Sequence, residues 1–403
     1  MSARLVSRRS FIAHAAAAGF AAPLVVNRSA FGANDRIALA VIGTGSQGRG
    51  DMGAALGHPE VQVVAVCDVV GGHRDMAKQQ VDRHYGNNRC ESYADFRKII
   101  DRTDIDAVLI GTPDHWHAII SVMAMKSGKD VYCEKPETLT VRQGRIMTQV
   151  ARRYGRVFSG GSQRVWEDYN WFHRMIKGGA IGDVKEVWVN VGGPSSPCDL
   201  PAEPTPPDVD WDMWLGPAPW RPFHSSLIRG GFRPHREYSG GGMTDWGCHG
   251  FGGALFACGL HETGPVEIIP PGQGVPQLTY VFANGIRIYH GGGWGGILSF
   301  RGTNGELPKK GQKEGSEPAP NVHIQNYRGR GGIFGDFVYC VKTRERPFRD
   351  VEIAHRTASL CHLGNIAYWL KRPLKWDPVK EDFVGDPGAS RWLDRPMRAP
   401  WTL

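Results

Sequence analysis

Four near-continuous apolar runs punctuate the first third of the chain. They lie in RIALAVIGTGSQGRG from Arg36, VQVVAVCD ending at Asp68, IDAVLIGTPDHWHA from Ile105 and KDVYCEKP ending at Pro136. Runs rich in Val, Ile, Leu and Ala, without polar alternation, suit strands buried on both faces. Helical stretches separate them, one expected from about His117 to Lys126. Such alternation predicts an α/β fold with a doubly wound parallel sheet, whose ligand sits at the carboxyl ends of the strands.

The pattern changes near Phe158. GGSQRVWEDYNWFHRMIKGGAIGDVKEVWVNV reads as a strand end, a helix stopped at Gly178-Gly179, and a long strand. A Pro- and Trp-rich segment from Pro194 to Phe223 follows, with Trp211, Trp214 and Trp220. Irregular segments of that length are either functional or disordered, and tryptophans argue against disorder. Two readings stand: a lid whose rings pack on a sugar, Trp214 among them, or a cover for a sheet edge or an oligomer contact. TDWGCHGFGGALFACGL has helical potential despite its glycines. QLTYVFANGIRIYHG reads as a hairpin turning at Asn284-Gly285. A polar loop from Gly302 to about Gly332 carries solvated Lys309, Lys310 and Lys313, and EIAHRTASLCHLGNIAYWLKRP closes the chain as a helix. Four segments result: a leader at 1–33, a dinucleotide-binding domain at 34–157, a substrate domain at 158–345, and a helix and tail at 346–403 that return to the first domain.

The leader changes how composition is read. SRRSFIAHAAAAGF pairs Arg8 and Arg9 ahead of a mild apolar stretch, the pattern of a twin-arginine export signal. It is short and Ala-rich for a membrane span, which takes about 20 strongly apolar residues. Processing near Ala33 and a retained anchor both stay open, and the expected location is the periplasm. Setting aside the four arginines of residues 1–33 takes the formal charge from +8 to +4. With no long basic run, nucleic acid is not an expected partner. The eight cysteines are scattered without a C-x-x-C pair, so most are expected as free buried thiols. His115-x-His117 and Cys248-His249 each offer two ligands, but no second pair has zinc-like spacing, and no metal site is expected.

Candidate chemistry begins at Gly43-x-Gly45-x-x-Gly48, which follows the first strand and opens a helix. A second strand then ends at Asp68, 20 residues past Gly48. Gly43 permits the tight turn, Gly45 lets backbone approach a pyrophosphate, and Gly48 lets the helix pack close. Asp68 accepts from ribose hydroxyls and repels a 2′-phosphate, which favours NAD; Arg74 nearby leaves NADP possible. Thr112, Pro113, Asp114 and His115 at one strand end, and Glu134, Lys135 and Pro136 at the next, converge on the same cofactor. Asp245 and His249, four apart, share one face of a helix, where a carboxylate orients an imidazole to act as base.

GTGSQG, CD at the second strand end, TPDHWH, GKDVYCEKP and GGGMTDWGCHG occur together in an order that resembles the Gfo/Idh/MocA family of NAD(P)-dependent oxidoreductases, in its twin-arginine-exported form. The resemblance covers essentially the whole chain after the leader. It implies a Rossmann domain followed by an α/β domain on a large open, mostly antiparallel sheet whose outer face forms oligomer contacts, giving a homodimer or tetramer. It implies further that Lys135 lies beside the nicotinamide and the reacting carbon, that Glu134 lies near the nicotinamide ribose, and that Asp245 and His249 serve as substrate binder and base. Gly250, Phe251, Gly252 and Gly253 follow His249 where many relatives carry a second histidine or an acid, so substrate identity does not transfer. Arg164 is a further candidate for substrate oxygens, and His355 is expected as a packed or capping residue that could approach the site.

These residues predict an oxidoreductase acting on a secondary hydroxyl of a sugar, glycoside or cyclitol. His249 takes the hydroxyl proton, Asp245 orients it, and Lys135 stabilises the alkoxide. A periplasmic address offers no evident pool of free NAD(P), so a tightly held cofactor, recycled in the site, is expected. The alternative is an NAD-dependent glycosidase working by transient oxidation and elimination. Relatives of that kind typically depart from the Pro of CEKP, which is present here as Pro136. A non-catalytic sugar-binding protein on the same scaffold is the third reading, and the intact glycine fingerprint opposes it.

Overall fold

The computed structural model describes residues 36–324, 327–328 and 331–403. The expected export signal lies outside the described residues. The apolar runs become neighbouring strands of one sheet: β1 (Ile37–Ile42), β2 (Val61–Cys67), β4 (Ala107–Ile110) and β5 (Asp130–Cys133), with the short β3 (Glu91–Tyr93) and β6 (Phe158–Gly160) at the edges. The order is β3-β2-β1-β4-β5-β6 and every pairing is parallel. All residues of β4 and β5 are buried, which is why those runs are apolar without alternation. The expected boundary at 157/158 falls at the start of β6, which completes this sheet.

Register decides what meets at the carboxyl edge. Ile42 pairs with Cys67 and with Ile110, and Ile110 pairs with Cys133. The residues that follow, Gly43, Asp68, Gly111 and Glu134, therefore stand in a row at the point where the strand order reverses. Helices α1 (Ser46–Leu56), α2 (Gly71–Tyr85), α3 (Asp114–Lys126) and α4 (Val141–Tyr154) connect the strands. α3 begins three residues before the expected His117, because extended Pro113 caps it and Asp114 occupies its first turn.

The second sheet has eight strands: β7 (Val184–Val189), β8 (Glu267–Ile269), β9 (Thr279–Val281), β10 (Arg287–His290), β11 (Leu298–Gly302), β12 (Gly305–Leu307), β13 (Leu374–Asp377) and β14 (Asp382–Phe383). Their order is β12-β11-β7-β10-β9-β8-β13-β14, and only β7 and β10 pair in parallel. The hairpin at Asn284-Gly285 forms between β9 and β10, with Gly285 at φ 88°. The expected loop from Gly302 is not wholly irregular, since β12 turns back onto β11 within it.

The longer helices of the second half are α5 (Asn170–Lys177), which ends at Gly178 as the sequence indicates, α7 (Gly247–Cys258), α8 (Gly332–Thr343) and α9 (Val351–Leu370), with the short α6 (Gly242–Asp245) leading into α7. The glycines of α7 have a packing cause. A Cβ at Gly250 would lie 2.8 Å from Val189 Cγ1 of the sheet, and one at Gly253 only 2.4 Å from the Tyr169 ring. The helix is thereby seated between the sheet and its neighbours. α9 packs on both α7 and α4. Arg145 of α4 is paired to Glu352 and Glu381 at 2.8 Å each, which ties the closing helix and tail to the first sheet's helical layer. The opposite face of the second sheet is polar and aromatic. It carries Trp188, Tyr289 and Arg301, with the Trp188 and Tyr289 rings 5.2 Å apart and the Arg301 guanidinium 5.0 Å above Trp188. All eight cysteines are free, six of them buried.

Candidate active site

The glycine loop is built on steric need. Gly43 has φ 84°, and a Cβ there would fall 2.4 Å from the Thr112 nitrogen. A Cβ on Gly48 would fall 1.9 Å from the Gly43 carbonyl oxygen, so the first turn of α1 rests directly on the loop. Gly45 differs: nothing lies within 4 Å of where its Cβ would be, and the residue opens onto a cavity. Gly43, Gly45, Asp68, Thr112, Pro113, Glu134, Lys135 and Trp214 line that cavity together. Of the expected cofactor residues, Gly48 packs beneath the loop and His115 is buried elsewhere.

Asp68 is held in place by its neighbours. Its carboxylate accepts from the Thr44 N–H at 2.7 Å, the Thr44 hydroxyl at 3.3 Å and the Val70 N–H at 2.9 Å. It thus staples the end of β2 to the glycine loop. Arg74 donates to the Asp68 carbonyl at 3.2 Å and does not line the cavity.

TPDHWH proves to be largely a fastening. His115 Nε2 lies 2.9 Å from the Trp214 carbonyl, and Trp116 Nε1 donates to the same oxygen at 3.0 Å. Burial lowers the pKa of His115 to about 4. His117 lies between the Pro136 and Thr112 carbonyls, at 2.7 and 2.8 Å, and burial likewise lowers it to about 4. The motif therefore secures the Trp-rich segment and the CEKP turn. His115, expected at the cofactor, is not among the residues that line the cavity; its ring packs against Trp214 and Tyr238. Trp211 and Trp214 stack with centroids 4.7 Å apart inside an apolar cluster with Val70 and Phe223, whereas Trp220 is 66% exposed. The segment is mainly a cover; Trp214 alone among the three also faces the cavity.

A charged cluster at the cavity wall is centred on Lys135. Its Nζ donates to Asp245 Oδ1 at 2.6 Å, and Arg233 Nε reaches the same oxygen at 3.3 Å. Burial disfavours charge on Asp245, but Lys135 and then Arg233 outweigh it and hold the carboxyl below its ordinary range. Burial likewise opposes the Lys135 charge, and Glu134 and Asp245 reverse that, raising its pKa. Asp114, buried at the start of α3, has its carboxyl pushed up to about 7 by burial, with Ser239, Arg233 and Lys135 opposing.

The expected pairing of Asp245 with His249 is not made. Asp245 ends α6 and His249 lies in α7, joined through Trp246, and the Asp245 carboxylate turns to the two cations instead. His249 Nδ1 is buried without a hydrogen-bond partner among the described residues. Burial, with the charges of Lys135 and Arg164, lowers the His249 pKa to about 3, so the ring is neutral. Arg164 stands 5.0 Å over the Trp246 ring, whose centroid is 5.9 Å from that of His249. It is also paired to Asp168 at 2.6 Å. His355 is wholly buried against Glu381 and Ser359, away from this group, and a Cβ on Gly144 would meet its ring at 2.2 Å.

Sequence reasoning missed Arg233, whose segment carries no recognisable spacing. It also missed Asp51 on α1, where burial pushes the carboxyl up to about 6 against the pull of Gln47 and Lys135. Among the described residues no group of three or more His, Cys, Asp or Glu is placed to hold a metal ion, and no helix is long and apolar enough to cross a membrane.

The site fits a nicotinamide dinucleotide on its own evidence. Gly45 leaves open space at the N-terminus of α1, and Thr112 Oγ1 and Glu134 Oε1 are buried polar atoms of cavity-lining residues without partners among the described residues. Sheet, glycine loop and carboxyl-edge cavity define a dinucleotide-binding α/β protein. Residues 37–162 match the oxidoreductase-family NAD-binding Rossmann fold and residues 183–403 the oxidoreductase-family C-terminal alpha/beta domain, so the chain belongs to the Gfo/Idh/MocA oxidoreductase family.

It is 29% identical over 282 residues to a glycosyl hydrolase family 109 protein of Stenotrophomonas maltophilia, covering 64% of this chain and 60% of that protein. It is 30% identical over 124 residues to inositol 2-dehydrogenase of Salmonella paratyphi B, covering 30% of this chain and 35% of that enzyme. The fold is shared with scyllo-inositol dehydrogenase of Lactobacillus casei, solved with NAD(H) and scyllo-inositol, at a TM-score of 0.57 and 17% identity over 84% of this chain and 99% of that one. Aldose-aldose oxidoreductase of Caulobacter crescentus, complexed with glycerol, gives 0.59 and 18% over the same shares.

Proposed function

We propose that the protein oxidises or reduces a secondary hydroxyl carbon of a sugar, glycoside or cyclitol, with a nicotinamide cofactor that stays bound and is recycled in the site. The observation that carries this reading is the 2.6 Å contact of Asp245 with Lys135, a residue of the cavity wall; His249 does not line the cavity, but its neutral ring lies near enough to feel the Lys135 charge. When bound, the nicotinamide supplies the hydride acceptor or donor. Lys135, held cationic, donates a hydrogen bond to the substrate oxygen and stabilises negative charge there. His249 takes or returns the hydroxyl proton. Asp245 fixes Lys135 and, with Arg233, closes the polar side of the site. Asp68, pinned at the end of β2, favours NAD over NADP by placing a carboxylate where a 2′-phosphate would lie.

The relatives support a polyol or carbohydrate substrate, since two are named inositol dehydrogenases and one an aldose-aldose oxidoreductase. The longer match to a glycosyl hydrolase family 109 protein favours a second reading, net glycoside hydrolysis by transient oxidation at the same carbon. Export through Arg8-Arg9 and assembly into a homo-oligomer through the Trp188 and Tyr289 face belong to the same proposal. Denaturing the purified protein and identifying the released nicotinamide tests the cofactor. Offering sugars, glycosides and cyclitols to the intact protein, with nicotinamide absorbance and aglycone release followed together, separates the two reactions. Protein that neither carries nor binds a nicotinamide dinucleotide would contradict both.

A further inference from the structure

The cavity has a wall that the parallel sheet does not supply. Besides the glycine loop, it is lined by Leu227, Ile228, Arg229, Gly230, Phe232 and Arg233, all from the segment that leaves the Trp-rich region. That segment is bolted at both ends. On the ribose side, Gly71 N–H donates to the Asp208 carbonyl at 2.8 Å and Asp210 N–H to the Val69 carbonyl at 3.0 Å, with Val70 and Val209 bridged antiparallel. At the reactive side, Arg233 Nη1 donates to the Gly230 carbonyl at 3.2 Å while its Nε reaches Asp245. Between the bolts the chain makes one wide turn, Leu227–Gly231, with Gly230 at φ 96°.

Arg229 sits on that turn, exposed, facing the cavity. Among the described residues it makes no hydrogen bond or ion pair, though its charge is felt at Glu203. Its neighbour Arg233 is by contrast committed to Asp245 and Gly230. An uncommitted guanidinium lining the same cavity as a pyrophosphate-type glycine loop has a natural occupant, an anionic oxygen of the dinucleotide.

We propose that residues 208–233 form a strap over the cofactor, and that Arg229 pairs with a phosphate of the bound dinucleotide and slows its escape. This rests on the functional reading above and supplies the device by which the cofactor is retained. Because Gly230 is joined through Arg233 to Asp245, the strap and the Lys135 pair are held as one unit.

The test is the rate at which bound NADH leaves the purified protein, followed by its fluorescence after dilution into excess ADP-ribose. Arg229→Ala should release NADH about tenfold faster or more, the loss of one charge-assisted hydrogen bond, and Arg229→Lys should recover part of that difference. Wild-type release should quicken with ionic strength, and Arg229→Ala release should do so less. Arg229 is exposed, so the variant keeps the fold, which unchanged circular dichroism would verify. Release from Arg229→Ala at the wild-type rate at every salt concentration overturns the strap. A wild type that holds NADH yet transforms no carbohydrate, with Arg229→Ala still losing it faster, upholds the strap and overturns the functional reading. A wild type that binds no nicotinamide dinucleotide overturns both.

Discussion

Lys135 Nζ and Asp245 Oδ1 stand 2.6 Å apart, although 110 residues separate them along the chain. The contact joins the end of β5 in the first sheet to α6 in the second half, so the reactive group exists only when both halves are folded together. It also assigns Asp245 to the lysine, and leaves His249 Nδ1 without a hydrogen-bond partner among the described residues.

Asp245→Asn should lower the pKa of Lys135, because the carboxylate that favours its ammonium form is removed. The basic limb of the pH–rate profile then moves to lower pH. A pH profile of kcat/KM over the alkaline range measures this, and an unmoved limb would separate Asp245 from the lysine.

His249→Ala should reduce kcat by about 10²- to 10⁴-fold, the usual contribution of a positioned general base, while cofactor stays bound. Since burial with Lys135 and Arg164 lowers the His249 pKa to about 3, the wild type should show no acid limb near the ordinary histidine value. Removing the Arg164 charge in Arg164→Ala should raise that pKa and bring the acid limb closer to neutrality.

The two glycines of the loop should fail differently. Gly48→Ala drives a Cβ into the Gly43 carbonyl and should destabilise the fold by roughly 1–3 kcal/mol, visible as a lowered Tm without cofactor. Gly45→Ala meets nothing in the protein, so its Tm without cofactor should stay close to wild type while dinucleotide affinity falls. Equal losses of Tm in both variants would contradict this division.

Asp68→Ala should weaken NAD binding and narrow the preference over NADP, since both the ribose acceptor and the repulsive charge disappear. Three hydrogen bonds to Thr44 and Val70 are lost as well, so a fall in Tm should accompany the change. Paired affinity measurements with the two cofactors, by calorimetry, check it.

The first sheet was legible because its signals are local. Buried parallel strands must be apolar throughout, and glycine at 43 and 48 answers to contacts at 2.4 and 1.9 Å. The CEKP and TDWGCH resemblance also singled out Lys135 and Asp245, which the fold brings into contact. Which partner Asp245 takes was not legible, since helical spacing places it near His249 and only tertiary packing turns it to Lys135 and Arg233. His115 shows the converse: a histidine at a strand end reads as a cofactor contact until the fold supplies the Trp214 carbonyl. Arg233 and Arg229 carried no signal, because an irregular segment has no period from which a facing direction follows. The Arg8-Arg9 leader belongs to sequence alone, as it lies outside the described residues.

The central claim is that Lys135 and His249 act on a carbohydrate hydroxyl beside a retained nicotinamide. The measurement is a single-turnover reaction of the cofactor-loaded protein with a panel of sugars, glycosides and cyclitols, following reduction of the bound nicotinamide by its near-ultraviolet absorbance. The wild type should reduce its cofactor with at least one member of the panel, while Lys135→Met and His249→Ala keep the cofactor and leave it oxidised. Full-rate reduction by either variant would contradict the assignment.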